Sequence, residues 1–307
     1  MTTGAPPSPR SGSLIVRARA TTERLARRAQ DERPRHRSVD AVFEMVERDG
    51  EVGGGIIAGA LAYRMFIWLL PLALVLVAGL GLAADARSES PEDAAGALGL
   101  EGLVSSSIAS AADSPNRWYA LLIGIPVLVW ATRSLLRVLI GAHRLVWTDA
   151  RTRAPKPKLV ASLQFLALLL CFGLVSTAAS AIRAWSTWPG VAATLVALVP
   201  YAVLWVLVAV RLPHRDAPWE ALVPGALVLA LGLEVLHAVI VYVITPWALA
   251  KQGTYGALGV AAALLVGLFL ISRLVVASAV VNATLWDRRE RPARRPQPGR
   301  PQPDGPV

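Results

Sequence analysis

The chain has 307 residues, 52 of them charged: 31 Lys and Arg against 21 Asp and Glu. Residues 1–50 and 287–307 hold 17 and 9 of these, leaving the 236 residues between with about one charge in nine, where soluble domains carry roughly one in four. With a mean hydropathy of +0.50, this excludes an ordinary soluble globule and a disordered chain, and predicts an all-α, polytopic membrane domain between two charged tails.

Residues 1–37 are polar and Arg-rich and read as a disordered tail. They lack the apolar core and small-residue cleavage site of a signal peptide, so insertion is expected through the first span. Residues 38–50 follow as an interfacial element. Val39, Val42, Phe43 and Val46 recur at helical spacing with acids opposite, the pattern of a helix lying on a membrane surface. Gly53, Gly54 and Gly55 predict a bend into the membrane domain, residues 51–287.

A bilayer core needs about 20 mostly apolar helical residues. Six stretches qualify: about 56–84, 118–147, 159–182, 191–210, 220–246 and 255–286. Their connections differ in charge. Loop 85–117 holds Asp85, Glu89, Glu92, Asp93, Glu101 and Asp113 against Arg87 and Arg117. Residues 92–111 form a weaker amphipathic stretch within it. Loop 149–158 (DARTRAPKPK) is basic, 211–219 carries Arg211 and Arg215, and 248–254 carries Lys251. Because Lys and Arg favour the cytoplasmic side, both termini and loops 149–158 and 211–219 are expected there. Residues 288–307, opening on RRERPARR, read as a second disordered basic tail.

Several chemistries are disfavoured. A lone Cys171 forms no intrachain disulfide and no cysteine metal site. His36, His143, His214 and His237 lack spacing that would put two on one metal. No cofactor is expected. Basic tails offer at most sequence-blind attraction to phosphates, so a specific nucleic-acid partner is not expected. The lipid bilayer is the expected partner, and the oligomeric state stays open.

Four segments together carry a resemblance. The first span reads RDGEVGGGIIAGALAYRMFIWLLPLALVLVAGLG, with Asp49 before a small-residue start, Tyr63, and Pro71 eight residues on. VWATRSLLRVLIGAHRLVW follows, with Trp130, then RLPHRDAPWEALVPGALVLALGLEVLHAVIVYVI, with Gly225 and Tyr242. The last, YGALGVAAALLVGLFLISRLVVASAVVNATL, carries Tyr255, Gly256 and Asn282. In this order, over about residues 39–286, they resemble the YihY/BrkB family of bacterial inner-membrane proteins. The chain departs from that pattern at His143, where the family often has Asn, at Arg64, where an aromatic is common, and at SAVVN in place of G-A-E-L-N. The resemblance implies a protein of envelope integrity and lipid export, and an old ribonuclease label comes with it.

Ionisable groups inside spans are expensive and mark candidate functional sites. Glu234 lies about 11 residues into the fifth span, near the midplane, with His237 three residues on along the same face. Arg64, Arg133 and Arg273 sit in three spans at similar distances from the cytoplasmic side, and together would line a basic cavity. Plainer readings stand beside this. Each Arg can snorkel to the headgroups, Glu234 can be a protonated or paired structural lock, and His237 can be an interhelical hydrogen-bonding partner. Pro71, Pro126 and Pro200 are kinks or hinges.

Two functions follow from different classes. One is a transporter or flippase of an anionic lipid or amphiphile, with the arginines as phosphate ligands and Glu234 and His237 as a candidate ion path. The alternative is a non-transporting scaffold for envelope partners, docking through its tails. A ribonuclease needs clustered carboxylates and His or a positioned acid–base pair. Asp149, Asp216 and His214 form no such cluster, so no enzyme activity is expected.

Overall fold

The computed structural model describes residues 37–87, 117–148, 154–183, 187–240 and 245–293, and the regular elements among them are helical. In chain order they are α1 (Arg37–Glu51), α2 (Gly54–Arg87), α3 (Arg117–Thr148), α4 (Leu159–Arg183), α5 (Thr187–Ala209), a 3-10 turn (Trp219–Leu222), α6 (Val223–Val239) and α7 (Thr245–Ala293). The chain divides into two units, residues 1–48 and 49–307. This boundary falls inside α1.

The predicted bend is present. Gly53 has a φ of +68°, a left-handed conformation that glycine adopts without strain, and its N–H reaches the Gly50 carbonyl at 3.1 Å. α2 and α3 then pack as an antiparallel pair. Gly124 lies against Leu74 and Val75, and further along the Trp68 Nε1 donates to Thr132 Oγ1 at 2.8 Å. The Thr132 hydroxyl in turn donates to the Leu128 carbonyl. Around this contact Leu61, Leu128, Ala131, Leu135, Leu139, Trp205 and Leu229 form the main core. A smaller cluster joins Ala179, Ala197, Tyr201 and Ala230, with Phe172 stacked on Tyr201 at 5.9 Å. The helices run on through Pro71, Pro126 and Pro200.

Among the described residues, five helices are long and apolar enough to cross a membrane: Gly54–Leu82, Trp118–Thr148, Leu159–Ile182, Trp219–Val239 and Ala262–Glu290, with Val196–Ala209 as a shorter apolar helix. Their outward faces carry large exposed apolar side chains. Leu122, Leu174 and Val235 are 71%, 67% and 64% exposed, an amount of open apolar surface that a water-soluble monomer does not carry.

The structure corrects the sequence reading at the last span. The predicted loop 248–254 is helical, because α7 begins at Thr245 and runs unbroken to Ala293. Ala, Lys and Gln are good helix formers, so this polar stretch does not break a helix. Thr245-Pro246 is itself a start signal, proline being tolerated in a first turn. The described part of the fifth span ends correspondingly early, at Val239. Residues 288–293, predicted as part of a disordered tail, are the last turns of α7. Residues 88–116, most of the predicted loop 85–117 with its amphipathic stretch 92–111, and the terminal segments 1–36 and 294–307 lie outside the described residues.

Candidate functional site

In a bilayer the lipid tails are as apolar as the helices, so close packing and interhelical hydrogen bonds hold the helices together. The polar contacts therefore locate the constrained parts of the domain. The densest group lies where α6 starts against α7. The first turn of a helix has N–H groups without intrahelical partners, and α6 has no side-chain cap of its own. Asn282 of α7 supplies one from outside. Its Oδ1 accepts the Gly225 N–H at 2.7 Å, and its Nδ2 donates to the Leu222 carbonyl at 3.0 Å. Such close approach needs glycine. A Cβ at Gly225 would overlap the Ser278 carbonyl oxygen and come within 2.6 Å of the Asn282 amide nitrogen.

One turn back on α7, Ser278 Oγ accepts from Trp205 Nε1 of α5 at 3.0 Å and donates to the Val275 carbonyl. The Trp205 ring sits 6.4 Å from the buried His143 of α3, whose Nδ1 lies 3.1 Å from the Leu139 carbonyl. Trp147 meets His214 edge-on at 6.4 Å. Arg215, in a left-handed turn with φ 54°, pairs with Asp287 at 2.7 Å. Four segments of the chain are thus pinned to α7 or to one another at this end.

The second polar contact is an ion pair. Arg273 grips Asp49 through both nitrogens, Nη1 to Oδ1 at 3.1 Å and Nη2 to Oδ2 at 2.9 Å. Asp49 lies near the C-terminus of α1, where the helix dipole disfavours an acid, so the guanidinium offsets an unfavourable charge. Gly54 makes room, since a Cβ there would overlap the Asp49 carboxylate and approach Arg273 Nη1. Next to Arg273, Ser272 Oγ points to the Met65 sulfur of α2 at 3.5 Å.

The sequence-predicted residues distribute as follows. Arg273 is engaged with Asp49, whereas Arg64 of α2 is half-buried and Arg133 of α3 is exposed. Glu234 is buried on the same face of α6 as Ala226 and Ala230; His237 is half-buried, and both have interaction partners. Tyr63 and Trp130 are exposed, and Pro71 is buried. Tyr255 and Gly256 fall within α7, and Tyr242 lies outside the described residues. Two pairs of motif positions gain a physical meaning: Gly225 with Asn282, and Asp49 with the buried-charge candidate Arg273. Sequence reasoning overlooked Trp68, Thr132, Trp205 and Ser272, although a Trp N–H or a hydroxyl inside an apolar span is itself a signal that a partner is needed.

Long apolar helices pinned by buried side-chain hydrogen bonds, with a carboxylate inside one of them, define a multi-pass α-helical membrane protein. The family model described as Virulence factor BrkB matches residues 47–303, and the chain belongs to that family, as the YihY/BrkB resemblance implies. Comparison with curated proteins and with solved structures yields no match.

Proposed function

We propose that this is a six-span protein of the bacterial cytoplasmic membrane, with both termini in the cytoplasm, that moves an anionic lipid or amphiphile in support of envelope integrity. The span added to the five long helices is α5, fourth in chain order, whose 23 residues reach about 35 Å at a rise of 1.5 Å per residue, enough for a bilayer core. The alternation of basic and acidic connections supports the orientation.

Glu234 carries the functional reading. It stands 11 residues after Val223, about 16 Å along α6, and turns inward rather than to lipid. A carboxylate kept at that depth has a use that an apolar residue cannot fill; protonation and release there would gate the path, with His237 one turn away. Arg64 and Arg133 provide cations for a phosphate on the cytoplasmic side. Arg273 takes a positioning role, because its charge is matched by Asp49.

Reconstituted vesicles test this. Glu234→Gln, Arg64→Ala and Arg133→Ala are expected to reduce movement of a fluorescent phosphatidylglycerol to the rate of protein-free vesicles, while each variant keeps the wild-type melting temperature. Wild-type rates in all three would overturn the proposal.

The alternative is a non-transporting scaffold for envelope partners, docking through its charged tails. In that case deleting residues 1–37 and 294–307 abolishes the envelope phenotype; a transporter keeps it.

A further inference from the structure

We infer that the corner between α3 and α4 is a binding site for the phosphate headgroup of an anionic phospholipid, held by Arg133, Arg137 and Lys156. At about 100° per residue, Arg133 and Arg137 lie within roughly 40° of each other on α3. Arg133 is exposed and Arg137 half-buried.

The connecting segment reads APKPK over residues 154–158 and is fixed against this face. Arg137 Nε donates to the Ala154 carbonyl at 3.2 Å, and Ala154 packs at Gly141. Pro157 is buried, while Lys156 and Lys158 are exposed. The Lys158 carbonyl accepts both the Ser162 N–H and its hydroxyl at 3.1 Å. Two prolines fix φ along the segment, so its lysines project from a backbone already held in place. Among the described residues Arg137 is bonded through Nε alone, and its two Nη groups suit a fork-like grip on phosphate oxygens.

The surrounding surface selects a lipid over a free phosphate. Trp130, one turn from Arg133, is 63% exposed, and Leu159 and Val160 are exposed where α4 begins. Apolar side chains beside cations match a headgroup with its acyl chains attached, and basic pockets between membrane helices bind anionic headgroups in this way. The inference does not rest on transport; a tightly held lipid would occupy this corner even if the protein moves nothing.

Native mass spectrometry of the purified full chain tests it, with phosphatidylglycerol or phosphatidylcholine added. Phosphatidylglycerol is expected to stay bound preferentially, with retention falling about fivefold for each cation removed in Arg137→Gln or Lys156→Gln. If Arg137→Gln lowers the melting temperature, Arg133→Gln with Lys156→Gln carries the test, because it leaves the Arg137–Ala154 bond intact. Lipid retention by a protein that moves no phosphatidylglycerol in vesicles would separate this site from the transport reading. Equal retention of the two lipids, wild-type retention in the double variant, or displacement by inorganic phosphate alone would overturn the inference.

Discussion

Gly225→Leu is expected to prevent the membrane domain from reaching its folded state, or to lower its melting temperature more than any other single helix substitution. The side chain would have to occupy the space of the Ser278 carbonyl and the Asn282 amide. One of these is backbone and cannot swing aside. Forcing atoms into a packed contact costs about 1–3 kcal/mol and more when backbone must move, and separating α6 from α7 would also break both Asn282 hydrogen bonds. Asn282→Ala isolates that second part. It leaves the Gly225 N–H buried without its partner, at about 1–3 kcal/mol for the unsatisfied group, and removes the side-chain bond to the Leu222 carbonyl, which as the helix N-cap keeps its intrahelical partner. Thermal melts of purified protein in detergent measure both. Gly59→Ala serves as control, since nothing lies within 4 Å of a Cβ there and alanine is the better helix former. Equal melting temperatures for Gly225→Leu and the control would contradict the described α6–α7 contact.

Breaking the Asp49–Arg273 pair is expected to have the second-largest effect. The side chains are 26% and 33% exposed, so the pair is partly shielded from solvent and its geometry is bidentate. Surface pairs contribute about 0–1 kcal/mol and losing one partner of a buried pair costs about 3–5 kcal/mol; this intermediate case should cost about 1–3 kcal/mol for Asp49→Ala or Arg273→Ala. The double variant should lose less than the sum of the singles, because each single strands the other charge. Gly54→Ala should mimic them by displacing the carboxylate. Strict additivity in the double variant would mean that the two side chains do not interact.

The sequence carried the membrane class and most helix positions because hydrophobic length is a strong local signal: α2, α3 and α4 begin and end within a few residues of the predicted spans. The start of α7 was legible only in Thr245-Pro246, and a polar stretch at 251–254 outweighed that signal. Motif positions were visible as residues but not as pairs. Nothing local in Gly225 says that residue 282, on another helix, will cap its N–H. Arg273 was visible as an intramembrane charge, but its partner, Asp49, lies 224 positions away. One sequence gives the cost of a buried charge but not the direction in which its side chain turns, which is also why Arg64, Arg133 and Arg273 read as equivalent cations while the structure pairs Arg273 with Asp49.

The proposed function rests on one claim, that the protein carries an anionic lipid across the bilayer. The direct measurement compares transbilayer movement of labelled phosphatidylglycerol and labelled phosphatidylcholine in vesicles with and without the wild-type protein. Phosphatidylglycerol should move faster than in protein-free vesicles and faster than phosphatidylcholine. Rates for both lipids equal to those of protein-free vesicles would contradict the account.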